Sequence, residues 1–204
     1  GAKSELMDNH LVLNAAAFYI DWDDIQQSIS LGGSCGFSFS DNFGSAVSKG
    51  VELEIQAVPI DGLTLGGFVS YNDAYFNENI PDAGIAKGDP IQNVSEWKAS
   101  ANVQYAFPIS EYSQAFVMAD YQYSSDQQLS LNYSLPDDLN TRDGYGIIDM
   151  STGIWKGNWE FRLFVKNLTD ERPVLGVRQF IYPPNFINTL RPRTIGMSVR
   201  GWFD

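Results

Sequence analysis

Hydrophobic and polar residues alternate one by one along most of this chain. From Trp97 the run Trp-Lys-Ala-Ser-Ala-Asn-Val-Gln-Tyr-Ala-Phe places Trp97, Ala99, Ala101, Val103, Tyr105 and Phe107 on one face of an extended segment. Lys98, Ser100, Asn102 and Gln104 fall on the other. Successive side chains of a β-strand point to opposite faces, so a period of two predicts strands. Val51-Glu-Leu-Glu-Ile-Gln-Ala repeats the pattern, with Glu52, Glu54 and Gln56 opposite Val51, Leu53 and Ile55. Further runs lie near 11–28, 63–76, 114–124, 145–155, 159–168 and 192–203, and residues 1–7 end another. Helical periodicity is nearly absent. The chain therefore reads as all-β, with about eight antiparallel strands and part of another.

Alternation by itself fits a soluble β-sandwich as well as a membrane barrel, because both bury one face of each strand. Strand length separates them. The segment from Trp97 to Phe107 rises roughly 36 Å at about 3.3 Å per residue, and a tilt of about 45° leaves about 25 Å, the height of an outer-membrane apolar band. Sandwich strands more often have about five or six residues. Trp97 at one end of the apolar face, and Tyr105 with Phe107 at the other, are placed as two interfacial belts would be. The final run, Thr194 to Phe203, puts Ile195, Met197, Val199 and Phe203 on one face and ends on an aromatic.

The connections point the same way. Short turns at Met7-Asp-Asn-His10, Pro59-Ile-Asp-Gly62, Pro108 to Ser113 and Lys156-Gly-Asn158 alternate with long segments near 29–46, 77–93, 125–144 and 169–191. In an up-and-down meander every short turn then lies at one end of the strands and every long loop at the other. Bacterial outer-membrane barrels have that layout. A sandwich has no reason to sort its loops so.

Composition narrows the chemistry. The 204 residues contain no run approaching the roughly 20 consecutive apolar positions of a spanning helix. Aromatics reach 14%, including ten Tyr and five Trp, enough for an interfacial girdle. A net charge of −12 with only 13 basic residues disfavours nucleic acid as a partner. Lone Cys35 forms no disulfide within the chain, and lone His10 lacks companions for a zinc site. No cofactor or metal is implied. Nor is there a catalytic constellation: the pairs Asp23-Asp24 and Asp137-Asp138 read as solvated loop charge, and Gly32-Gly33 with Gly36 precede no helix that would cradle a phosphate. Three glycosylation triplets begin at Asn93, Asn132 and Asn167, a pattern that arises often by chance.

Asn167-Leu-Thr-Asp-Glu-Arg-Pro173, Leu190-Arg-Pro-Arg-Thr-Ile-Gly196 and the closing Trp202-Phe203 resemble the C-terminal end of TonB-dependent outer-membrane receptors. Leu13 to Gln26 and Lys49-Gly-Val-Glu-Leu-Glu54 look like preceding barrel strands of the same family. The resemblance covers essentially all of residues 1–204. It implies an antiparallel up-and-down transmembrane β-barrel, of which about eight or nine strands out of about 22 are present. The plug domain and the N-terminal strands are then not among these residues. It also implies active import across the bacterial outer membrane, most often of a ferric siderophore, although vitamin B12, oligosaccharides and other metal complexes use the same scaffold. The implied partners are outer-membrane lipid, the TonB–ExbB–ExbD complex reached through the plug, and the barrel-assembly machinery, which reads Trp202 and Phe203 as a C-terminal signal. Asp204 after that aromatic departs from the family pattern.

Ligand contacts are expected on the long loops, where binding side chains concentrate on a rigid scaffold. Phe37, Phe39 and Phe43 in 29–46, and Arg178, Phe180, Tyr182 and Phe186 in 169–191, offer aromatic surface and a cation suited to a flat anionic ligand. The same aromatics also suit packing of the loops on one another. Glu52, Glu54, Lys98, Glu160, Arg162, Lys166 and Arg200 alternate away from the apolar face and are expected to form a lumen-facing polar wall. Two other architectures stay open: a small self-closed barrel acting as a pore or adhesin, which needs residues near the start to pair with 192–203, and a soluble β-sandwich binding module.

Overall fold

The computed structural model describes residues 1–30, 38–42, 44–129, 140–178 and 186–203. Its strands are β1 (Ala2–Leu6), β2 (Leu11–Asp23), β3 (Gln26–Ser30), β4 (Ser38–Asn42), β5 (Ser45–Ile60), β6 (Leu63–Phe76), β7 (Trp97–Ser110) and β8 (Ser113–Ser124), followed by β9 (Gln127–Gln128), β10 (Thr141–Arg142), β11 (Tyr145–Lys156), β12 (Trp159–Lys166), β13 (Gly176–Arg178), β14 (Phe186–Asn188) and β15 (Thr194–Gly201). Nine of them form one sheet in the order β1-β2-β5-β6-β7-β8-β11-β12-β15, each antiparallel to its neighbour. This is part of an up-and-down transmembrane barrel, open at β1 and β15. Those two edges do not pair with each other, as a small self-closed barrel requires, and the nine strands lie in one sheet rather than the two of a sandwich.

The register explains why one-residue alternation had to be kept along every strand. Leu6, Leu11, Ala57, Leu65, Val103, Ala119, Met150, Val165 and Ile195 stand in one continuous cross-strand row, apolar on all nine strands. The adjacent row on the opposite face holds Glu5, Val12, Gln56, Gly66, Asn102, Asp120 and Asp149. A slip of one residue exchanges the faces of a whole strand. Ile195 and Met197 are each 79% exposed and Leu163 60%. An apolar face left this bare belongs against lipid. Aromatic pairs mark its two borders: Tyr71 and Trp97 lie 4.9 Å apart toward the loop end, while Trp159 meets Phe203 edge-on at 5.7 Å toward the turn end.

Several aromatics lie flat over a glycine on the neighbouring strand. Phe18 pairs with Gly50, Phe116 with Gly153 and Phe164 with Gly196, all on the polar face. A Cβ on Gly153 would approach the Phe116 ring at 2.6 Å and the Phe161 carbonyl oxygen at 2.2 Å. The absence of a side chain thus lets a ring lie along the wall instead of standing out from it.

The structure divides the run expected at 11–28. β2 stops at Asp23, Asp24 takes a left-handed backbone (φ 54°), and β3 turns out of the sheet to pair with β4. The long loops carry hairpins of their own, β3–β4, β9–β10 and β13–β14. Beyond the sheet, Ile25, Ala46, Phe76, Ile80 and Ile85 form a small buried core joining the start of β3 to the segment after β6.

Two substitutions test the assignment of the faces. Val103→Arg, mid-height on the apolar face, is expected to destabilise the protein in phospholipid vesicles by about 2–4 kcal/mol, whereas Gln104→Arg one residue on costs less than about 1 kcal/mol. Urea unfolding followed by tryptophan fluorescence measures both, and equal costs would contradict the assignment. Gly153→Ala is expected to cost about 1–3 kcal/mol through overpacking against Phe116.

Candidate functional site

The polar face presents its charges in ordered rows. Glu52, Ser70, Lys98, Ser124 and Tyr145 share one row on successive strands β5, β6, β7, β8 and β11. Glu52 and Lys98 are thus two strand spacings apart, about 10 Å, and form no ion pair. In the next row toward the turns, Glu54 accepts hydrogen bonds from Asn14 Nδ2 and Gln56 Nε2, both at 2.9 Å. Nearer the short turns Glu160 is buried and accepts from Arg162 Nε at 2.9 Å and Trp155 Nε1 at 3.1 Å. Phe116 stacks on Trp155 at 4.2 Å, and the Arg162 guanidinium lies 5.0 Å from the Phe116 ring centroid. Arg200 sits opposite Glu160 in the register, and Lys166 opposite Thr194. All seven residues expected on a polar wall therefore occupy one face, and two of them join in an ion pair.

The aromatic loop candidates divide differently. Phe37, Phe43, Phe180 and Tyr182 lie outside the described residues, as does Asp204. Phe39 belongs to β4 and faces Ile29 in the register; Arg178 on β13 pairs with Phe186 on β14. Trp202 and Phe203 follow β15, where the Trp202 N–H donates to the Asn158 carbonyl at 3.0 Å.

Two anchors at the loop rim escaped the sequence reading. The first is Asn167, in the left-handed region (φ 52°) just after β12. Its Nδ2 donates to the Glu171 and Arg191 carbonyls at 3.0 and 2.9 Å, and its Oδ1 accepts from the Glu171 N–H at 2.9 Å. One side chain therefore ties both ends of the 169–191 loop to the sheet. With both amide hydrogens engaged and the residue buried, Asn167 is no acceptor for a sugar. Beside it Asp170 accepts from the Arg193 backbone N–H at 2.7 Å and from Arg172 Nη2 at 3.0 Å. The Arg193 bond foremost, then Arg172, hold its pKa below the ordinary 3.8.

The second anchor is Arg142, on β10. Its Nη2 donates to Ser95 Oγ and Ser124 Oγ, both at 2.8 Å, and to the Ser125 carbonyl at 2.6 Å, and its guanidinium lies 4.8 Å from the Tyr145 ring centroid. These bonds fasten the 125–142 loop to the ends of β7 and β8. Burial lowers the Arg142 pKa from its ordinary value, partly offset by Tyr145 and Asp126. The arrangement offers charges and hydrogen-bonding groups along one wall and its rim.

The sequence matches the family described as TonB dependent receptor-like, beta-barrel, over residues 1–168. The chain belongs to that family. Among solved structures it resembles the ferric yersiniabactin uptake receptor FyuA from Yersinia pestis, with a TM-score of 0.78 and 20% identity over 98% of this chain and 29% of that one. It also resembles the ferric-catecholate import receptor Fiu from K12 E. coli (0.70, 19%, over 97% and 26%) and BauA, the ferric preacinetobactin receptor from Acinetobacter baumannii (0.70, 16%, over 95% and 27%). The chain thus spans less than a third of the length of these receptors. At such identity the likeness is one of fold. No curated protein matches the sequence.

Asn167→Ala is expected to cost about 1–3 kcal/mol, because it leaves buried loop-base groups unpaired. Limited proteolysis should then cut within 169–191 at lower protease concentration while the sheet stays protected. For Asp170 the lowered pKa means a stabilising contribution that is full above 3.8 and lost as pH falls through the folded value. Acid should therefore increase cleavage of this loop in the parent protein, and Asp170→Asn should show the increased cleavage already at neutral pH.

Proposed function

We propose that this chain is barrel wall and loop rim of an outer-membrane importer that takes up a ferric siderophore or a similarly scarce ligand at the expense of TonB. The single observation that carries the reading is the membership of the barrel family, joined to a sheet whose bare apolar face suits lipid and whose other face is polar. The named cargoes of FyuA, Fiu and BauA are all ferric chelates, which supports iron as the element imported. Fold alone does not select among ligands, because specificity resides in loops and in whatever fills the barrel.

In this reading Glu52, Glu54, Lys98, Arg162 and Arg200 face the lumen. There a plug contributed by a segment outside these residues would meet them and link the ligand to TonB–ExbB–ExbD. Phe37, Phe39, Arg178, Tyr182 and Phe186 belong to the loops that first meet the ligand from outside the cell. Trp202 and Phe203 act as the signal read during barrel assembly.

Radioactive iron uptake tests this directly. Iron-starved cells lacking the gene should fail to accumulate iron from at least one ferric siderophore, and cells lacking TonB should fail for the same chelate. Uptake unchanged in both strains across hydroxamate, catecholate and carboxylate siderophores would contradict the importer reading.

A further inference from the structure

A cavity of about 450 Å³ opens at the loop end of the polar face, and its chemistry is unlike that of the rest of the chain. In a protein of net charge −12, its lining among the described residues includes Lys98 and Arg142, Ser100, Gln122, Gln127 and Tyr145, and no carboxylate. On the sheet, Asp120 and Asp149 each lie one same-face position beyond the lining residues Gln122 and Ile147, and Asp126, next to the lining residue Gln127, favours the charged form of Arg142 without forming an ion pair with it. Its volume falls within the range of small-molecule sites.

The two cations are held around one residue. Ser124 is the cross-strand partner of Lys98, and its Oγ accepts from Arg142 Nη2 at 2.8 Å. Arg142 is only 6% exposed, yet every oxygen that its Nη2 touches is neutral, and its Nε has no hydrogen-bond partner. Among the described residues no carboxylate forms an ion pair with it. A buried guanidinium normally sits against an acid, since taking it out of water is costly unless an opposite charge compensates. Here no described carboxylate touches it, Asp126 offsets its burial only in part, and a second cation lines the same cavity. The Ser95, Ser124 and Ser125 bonds fix the guanidinium in place, so ordering it on binding carries little further entropic cost.

Resting on the importer reading for the molecule that brings it, we propose that this cavity is a subsite for a carboxylate group of the ligand, held between Lys98 and Arg142. It separates carboxylate-bearing ligands from neutral ones of the same shape, because an uncharged group would leave the two cations without an anion in contact.

The test is calorimetric titration of the protein, purified from the outer membrane in detergent, with citrate and with its uncharged ester triethyl citrate. Citrate should bind at least tenfold more tightly than the ester, and more weakly as salt is raised. Lys98→Gln should weaken citrate binding at least fivefold, and Arg142→Gln should do the same in protein that keeps its heat-modifiable mobility on gels. Should Arg142→Gln fail to fold, Lys98→Gln decides, since Lys98 fastens no loop. Equal binding of citrate and ester, unchanged citrate affinity in Lys98→Gln, or no citrate binding would overturn the subsite. Radioactive uptake separates the two levels: citrate binding without chelate uptake sinks the importer reading, and chelate uptake without citrate binding sinks only the subsite.

Discussion

Every backbone N–H and C=O that sits in hydrocarbon must find its partner on a neighbouring strand, because no water is there to take its place. The rest of this structure follows from that requirement. It forces long strands and an antiparallel ladder that runs from β1 to β15 through eight successive pairings, with register shifts only beside short turns, between Ala57 and Ile60 and between Pro108 and Ser110. Once the ladder is fixed, alternation is the only freedom left to the side chains, and it assigns each to lipid or to the opposite face. The row from Leu6 to Ile195 shows that assignment kept on all nine strands. Glycine at Gly50, Gly153 and Gly196 is the sequence's means of laying rings against the wall without disturbing the ladder.

Above the lipid the constraint relaxes and local anchors take over. Asn167 closes the base of one loop, Arg142 fastens another to β7 and β8, and the Ile25–Phe76–Ile80 core holds a third region to the sheet. These anchors are polar or small in area, unlike the extended ladder. They fix where each loop begins and ends. The cost is a buried cation, Arg142, that forms no ion pair with any described carboxylate and whose burial Asp126 offsets only in part.

The sheet was legible in the sequence and the rim was not. Residues 97–107 alone give strand, faces, height and belts, because period-two alternation is a direct image of the ladder. That seven charged residues share the face opposite the apolar one could be read for the same reason. The division of 11–28 at Asp23 could not, since the alternation runs on through Ile25 and only the left-handed turn at Asp24 breaks it. Arg142 belongs to a two-residue strand, too short for any period, and its burial depends on Ser95 and Ser124, far away in sequence. Asn167 stood inside a recognisable motif, but its part in closing a loop becomes visible only when Arg191 arrives from 24 residues on. The Phe116–Gly153 pairing left one trace: an aromatic at a position of polar parity.

Spin labels placed singly at each position from Trp97 to Phe107, in protein reconstituted in phospholipid with Cys35 replaced, test the central claim most directly. The account predicts that accessibility to oxygen, which concentrates in lipid, rises at 97, 99, 101, 103, 105 and 107. Accessibility to a water-soluble nickel chelate should rise at 98, 100, 102 and 104. Water-soluble access at every position, or no period of two, would show that this sheet does not stand between lipid and a polar lumen.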